Sequence, residues 1–230
     1  MKNVLKNKPK KLLPEFIINL YKNINSFVSW KNRKYLDNAP QFIKQKVFLK
    51  HSKPTNTWVE TGTHLGVTTN FLSKNFIEVH SIEPGYELFL EACKKFDCVP
   101  VNNEMEIKVF KSNSKNISLY HGTSEKIFPQ LLPKLKGNIS FWLDGHYSGI
   151  NTFLGEKHSP AKEELDEIEK NLKNFNDINI LIDDVRAFVP SDHSNNPDPN
   201  INFFVDWAKR NNFFWKIEYD IFIMKNQYFS

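Results

Sequence analysis

Between Trp58 and Pro84 the chain reads strand, glycine turn, helix, strand and carboxylate, an order that leaves few folds open. Apolar Trp58 and Val59 run into Glu60-Thr61-Gly62-Thr63-His64-Leu65-Gly66, a helical run follows, and Val79-His80-Ser81-Ile82 ends on Glu83, 21 residues after Gly62. This is the layout of a nucleotide-binding βαβ unit. Glycines let the backbone pass close to a ligand and supply positive φ, and an acid at the tip of the next strand takes both hydroxyls of a ribose. Dinucleotide folds use Gly-x-Gly-x-x-Gly, which seats a pyrophosphate on the helix N-terminus. Here the middle glycine is absent, Thr63 and His64 stand in its place, and Glu60 lies two residues before Gly62. A carboxylate at that point suits a ligand with a cationic amine better than one with a pyrophosphate.

The rest of the chain reads as one α/β domain with a helical addition in front. Its 230 residues are enough to bury a core. The net charge of +5 is uneven: residues 1–50 carry 12 Lys and Arg against Glu15 and Asp37, while the remainder carries 19 against 24 acids. A basic arm of this kind attracts anionic lipid, nucleic acid or a phosphorylated substrate, or is simply solvated. No nucleic-acid-binding motif is present, so no nucleic acid partner is expected. Pro14 opens an amphipathic helix through about Phe27, with Phe16, Ile17, Leu20, Tyr21, Ile24, Phe27 and Val28 at helical spacing. Padding of the domain, a homodimer surface and peripheral membrane contact are the three uses considered, in that order. A second helix, about 39–50, turns Phe42, Ile43, Val47 and Phe48 to the core, and the nucleotide domain begins at Thr57. No apolar run of about 18 residues and no cleavable leader is seen, which predicts a cytoplasmic protein, with the inner membrane face as a further location.

Beyond Glu83 come a helix over 86–96, a stretch over 99–114 read as irregular, and the strand 117–120, which leads into His121-Gly122-Thr123-Ser124. A central apolar strand over 139–143 ends in Asp144-Gly145-His146-Tyr147-Ser148-Gly149. An imidazole at that end of a sheet is suited to deprotonate a hydroxyl. His146 is therefore the candidate general base, with Asp144 orienting it, touching the cofactor or binding a metal; a satisfied loop histidine is the plain alternative. A loop over 150–160 has the length of a lid, and a polar, proline-rich loop over 188–200 is a candidate for substrate recognition. The strand 178–182 ends in Asp183-Asp184-Val185-Arg186. Asp144, Asp183 and Asp184 could form an all-oxygen site for Mg²⁺; alternatively Asp183 binds substrate and Asp184 pairs with Arg186. Strands over 213–219 and 221–225 are joined by so short a turn that they must be antiparallel.

Taken together, the stretches Glu60 to Gly66, Ser81 to Pro84, Trp142 to Gly149 and Leu181 to Arg186 resemble the class I S-adenosylmethionine-dependent methyltransferases over about residues 57–225. The likeness is to a small bacterial group associated with surface polysaccharide and secondary metabolism and, more distantly, to the macrocin-type sugar O-methyltransferases. The resemblance implies a doubly wound, mostly parallel seven-stranded sheet (a Rossmann-like methyltransferase fold) with an antiparallel C-terminal hairpin, over residues 57–230, preceded by a basic helical extension over 1–56. It implies S-adenosylmethionine as cofactor, bound by Glu60, Gly62, Thr63, His64, Gly66, Glu83 and Asp144, with Thr123 and Ser124 at the adenine. It implies O-methylation of a sugar or surface-glycan hydroxyl, with His146, Asp144 and Asp183 catalytic, and Mg²⁺ on Asp144, Asp183 and Asp184. The loop after Asp144 departs from the macrocin-type pattern and sets His146 against the metal as competing means of activation. An NAD-dependent oxidoreductase or epimerase of nucleotide sugars and a non-catalytic membrane-associated scaffold are the alternatives.

Overall fold

The computed structural model describes residues 15–101, 107–145, 159–190 and 199–228. The expected base His146, most of the expected lid, residues 191–198 of the expected recognition loop and the basic tail before Glu15 lie outside them. Two helices, α1 (Glu15–Asn32) and α2 (Gln41–His51), precede the sheet. Then come β1 (Thr57–Thr61), α3 (Val67–Asn75), β2 (Glu78–Glu83), α4 (Tyr86–Lys95), β3 (Cys98–Val101), β4 (Val109–Ser112) and β5 (Ile117–His121). The chain continues with α5 (Ser124–Leu131), β6 (Gly137–Leu143), α6 (Ala161–Asn171), β7 (Phe175–Ile182), α7 (Ile201–Arg210), β8 (Phe214–Glu218) and β9 (Ile221–Lys225). The strands form one sheet in the order β3-β4-β5-β2-β1-β6-β7-β9-β8. The five central strands are parallel, and the expected C-terminal hairpin closes one edge antiparallel.

The sheet has nine strands rather than the expected seven. The additional pair is β3 and β4, an antiparallel hairpin in the stretch read as irregular, with β4 antiparallel to β5. Its mixed charges belong to an outer position: β3 is the outermost strand, partly exposed at its ends and exposed at Val99 and Pro100, where Pro100 costs no central hydrogen bond.

The central strands are apolar because both faces are covered. Val59, Phe141, Ile180 and Met224 turn to one side, where they meet Ile127 and Phe128 of α5, Leu165 and Ile168 of α6, and Phe204 and Trp207 of α7. Their neighbours Trp58, Trp142, Leu181 and Ile223 turn to the other, against Val47 and Phe48 of α2, Leu72 of α3 and Phe89 of α4. Burying each such side chain is worth roughly 1.5–3 kcal/mol. Phe48 meets Trp142 and Trp58 edge on, at centroid distances of 4.7 and 5.2 Å, so α2 is fastened to the middle of the sheet. Helix α1 is held mainly at its C-terminal end, where Trp30 is buried with Ala39 and Ile43 and donates its indole N–H to the Asp37 carbonyl at 2.8 Å. The stripe expected to pad the domain stays exposed at Ile17, Leu20, Tyr21, Ile24 and Val28. No described helix is long and apolar enough to cross a membrane.

Candidate active site

The carboxyl ends of the parallel strands fall in one row. Thr61 pairs with Ile82 on one side and Leu143 on the other, Glu83 with His121, and Leu143 with Ile182. The segments that follow these strands, beginning at Gly62, Pro84, Gly122, Asp144 and Asp183, therefore share one edge, where open α/β sheets bind their ligands.

At the first turn the N–H groups of Gly62 and Thr63 both donate to the Ile82 carbonyl, at 3.0 and 3.1 Å. Gly62 has φ +88°, and a Cβ there would stand 2.8 Å from the Asp144 carbonyl oxygen, so only glycine lets this turn pass the end of β6. Gly66, also left-handed, leaves room for the Phe96 ring at the start of α3. His64, at φ +46°, donates its N–H to Glu83 Oε2 at 2.7 Å, and Gly85 donates to Oε1 at 2.9 Å. Burial raises the Glu83 pKa against these two amides. Each oxygen keeps a lone pair, enough for two vicinal hydroxyls.

Glu60 is fully buried. Its Oε2 accepts the Thr69 and Ser81 hydroxyls, both at 2.6 Å, while Oε1 has no hydrogen-bond partner among the described residues. Burial lifts its pKa to about 7, with the two hydroxyls opposing and Glu83 adding to the rise. At the end of β5, the His121 ring lies 5.3 Å from that of Tyr86 and 5.1 Å from that of Phe89. Thr123 is partly exposed, whereas Ser124 is buried, its hydroxyl donating to Glu125 Oε2 at 3.5 Å.

Asp144, Asp183 and Asp184 do come together: one carboxylate oxygen from each lies within 4.8 Å of the others. The Asp144 N–H donates to Thr61 Oγ1 at 3.2 Å, and the Asp183 N–H to the Leu143 carbonyl at 3.1 Å, which fixes both strand ends. Asp184 is left-handed at φ +52°, caps the short turn Val185–Phe188 and accepts from Arg186 Nη1 at 2.8 Å. The buried Lys44 ammonium forms an ion pair with Asp183 Oδ2 and lies 5.5 Å from the Trp142 ring centroid. Burial opposes the charge on Lys44, yet Asp183, Asp144 and Asp184 together hold its pKa above the ordinary lysine value.

The donor set is one that Mg²⁺ would accept, but two of its three acids already carry a cation. The expected Mg²⁺ therefore does not fit this arrangement without displacing Lys44. Neither Lys44 nor Glu164 was a candidate on sequence alone. Glu164, in the first turn of α6, is buried, its Oε1 has no partner among the described residues, and burial pushes its pKa to about 7 against the Ser124 and Thr61 hydroxyls. Each carried a signal: Lys44 stands beside Ile43 and four before Phe48, and Glu164 lies three after Ala161 and four before Ile168, so both fall on buried stripes.

No family profile and no curated protein matches this sequence. Solved structures do match the fold. One is an O-methyltransferase from Bacillus cereus in complex with SAH, at 14% identity over 89% of this chain and 90% of that one, with a TM-score of 0.53. The fold is that of the class I methyltransferases. A second, the O-methyltransferase TomG from Streptomyces achromogenes in complex with SAM and involved in tomaymycin synthesis, has 12% identity over 88% and 87% of the two chains, with a TM-score of 0.51. At such identities it is the methyltransferase fold that is shared; the residues at its ligand edge have to be argued on their own chemistry.

Proposed function

We propose that the protein transfers a methyl group from S-adenosylmethionine to an oxygen of an acceptor, a sugar or surface-glycan hydroxyl. The observation that carries the reading is the arrangement at the ends of β1 and β2. There the glycine turn approaches β6 closely, Glu60 has an oxygen without a partner among the described residues, and Glu83 is held by two amides with lone pairs to spare. These features fit a ligand with an amine at one end and a ribose beside it. Glu60 takes the amine, Gly62, Thr63, His64 and Gly66 shape the turn against which the ligand lies, Glu83 takes the ribose diol, and the loop at Thr123 and Ser124 borders the adenine.

When bound, S-adenosylmethionine supplies a methyl group on a sulfonium. The chain's share is to align the acceptor oxygen with that carbon and to remove the hydroxyl proton as the new C–O bond forms. His146, two residues after Asp144, is the proposed proton acceptor. Asp144 and Asp183 at the neighbouring strand ends offer carboxylate oxygens for the hydroxyls of a sugar.

Calorimetric titration with S-adenosylhomocysteine, with NAD as control, tests this. Binding of the first alone is expected, weakened by at least about tenfold in Glu83→Ala as the hydrogen bonds to the diol are lost. Because only ionised Glu60 attracts an amine, affinity should climb from about pH 6 to about pH 7 and then level off, and Glu60→Gln should flatten that climb. Binding of NAD in place of S-adenosylhomocysteine would overturn the proposal.

A further inference from the structure

Lys44 is an expensive residue to bury. It sits on the stripe of α2 that carries Ile43, Val47 and Phe48 into the core, where methionine would pack at no electrostatic cost. Its side chain is 9% exposed and that of Asp183, its partner, 2%. The lysine also faces an unusual need. Three carboxylates at the ends of two adjacent strands repel one another when ionised, and they stay close only with positive charge among them. Among the described residues, Arg186, which Asp184 shares with Asp220, meets that acid from the rim, and Lys44 meets Asp183 from inside, with the Trp142 ring behind the ammonium.

We propose that Lys44 is the resident cation of the acceptor end, its ammonium filling the place among Asp144, Asp183 and Asp184 that a divalent ion would otherwise take. The site then holds its carboxylates together without a metal, and α2 is part of it. Lys44 acts through the carboxylates and is a positioning residue. Calling this edge the acceptor end rests on the methyl-transfer reading, but the placement of the cation does not.

The test is titration with Mn²⁺, followed by the paramagnetic resonance of the free ion, on the full chain, on Lys44→Met and on Lys44→Met with Asp183→Asn; binding of S-adenosylhomocysteine is measured in parallel. The wild-type chain should show no Mn²⁺ site tighter than about 1 mM, and Lys44→Met should bind at least about tenfold more tightly, as Asp183, freed beside two further carboxylates, favours a hard cation. Adding Asp183→Asn should remove that gain. A lysine that merely stapled α2 to the sheet would leave metal affinity unchanged on removal. Should Lys44→Met not fold, Lys44→Gln, which keeps a polar group beside Asp183 without the charge, carries the same expectation. Mn²⁺ binding to the wild type as tight as to the variant overturns the proposal, and so does a folded variant that gains none. Failure to bind S-adenosylhomocysteine would instead count against the cofactor reading and leave the cation result standing.

Discussion

Two glutamates with pKa values lifted to about 7, Glu60 and Glu164, make the stability of this protein depend on pH in a direction that can be worked out. Each is buried and binds its proton more tightly folded than unfolded, where a glutamate titrates near about 4.3. Their favourable contribution is therefore complete at about pH 4 and is lost as pH rises towards about 7, by up to roughly 3 kcal/mol for each group. Chemical denaturation at about pH 5 and about pH 8 should find the protein less stable at the higher value. Glu164→Gln, which keeps the shape of the protonated acid, should remove about half of that fall. An equal fall in the variant would show that Glu164 is already ionised in the native state. Neither glutamate's burial could be read from residue type alone, because charged side chains are rarely fully buried. Periodicity was the better guide, since Glu164 shares its stripe with Leu165 and Ile168.

Among the elements, α2 does more than its sequence suggested. Phe42, Ile43, Val47 and Phe48 were read as its core face; the last three are buried and Phe42 partly so. What could not be read was the stretch of sheet they cover: packing against Trp58 and Trp142 depends on the strand order, which no local pattern contains. Truncating Phe48 to alanine leaves a cavity between two tryptophans and should cost about 3–5 kcal/mol in denaturant melts. A cost below about 1 kcal/mol would mean that α2 can lift from the sheet. The hairpin of β3 and β4 was illegible for a different reason. Cys98–Val101 alternates weakly, and its outward residues are polar or exposed, as an edge strand requires. Residues 178–182, by contrast, are buried at every position and were readable as a strand from their apolar run, whereas the first residues of β7, Phe175 to Asp177, carry Asn176 and Asp177 and were not.

For the whole molecule, the expectation was a boundary near residue 56 between a basic extension and the domain, yet α2, from before that boundary, packs on the middle of the sheet. Removal of residues 1–40 should leave a cooperatively folding protein with a modest loss of stability, since α1 exposes most of its apolar stripe and buries chiefly Trp30. Removal of residues 1–52 takes Lys44 and Phe48 as well, leaves Asp183 buried without its cation, and should abolish a sharp thermal transition. Equal melting of the two truncated chains would place all of the coupling in α1. Lys44 and Asp183 are 139 positions apart, and that distance is also an interval of time. At about 5–20 residues per second, the ribosome makes the lysine on the order of ten seconds before the aspartate that receives it. The βαβ unit can close while α2 still has nowhere to place its charge. The ion pair of Lys44 and Asp183 can therefore form only once the chain's final third has returned to its first fifth.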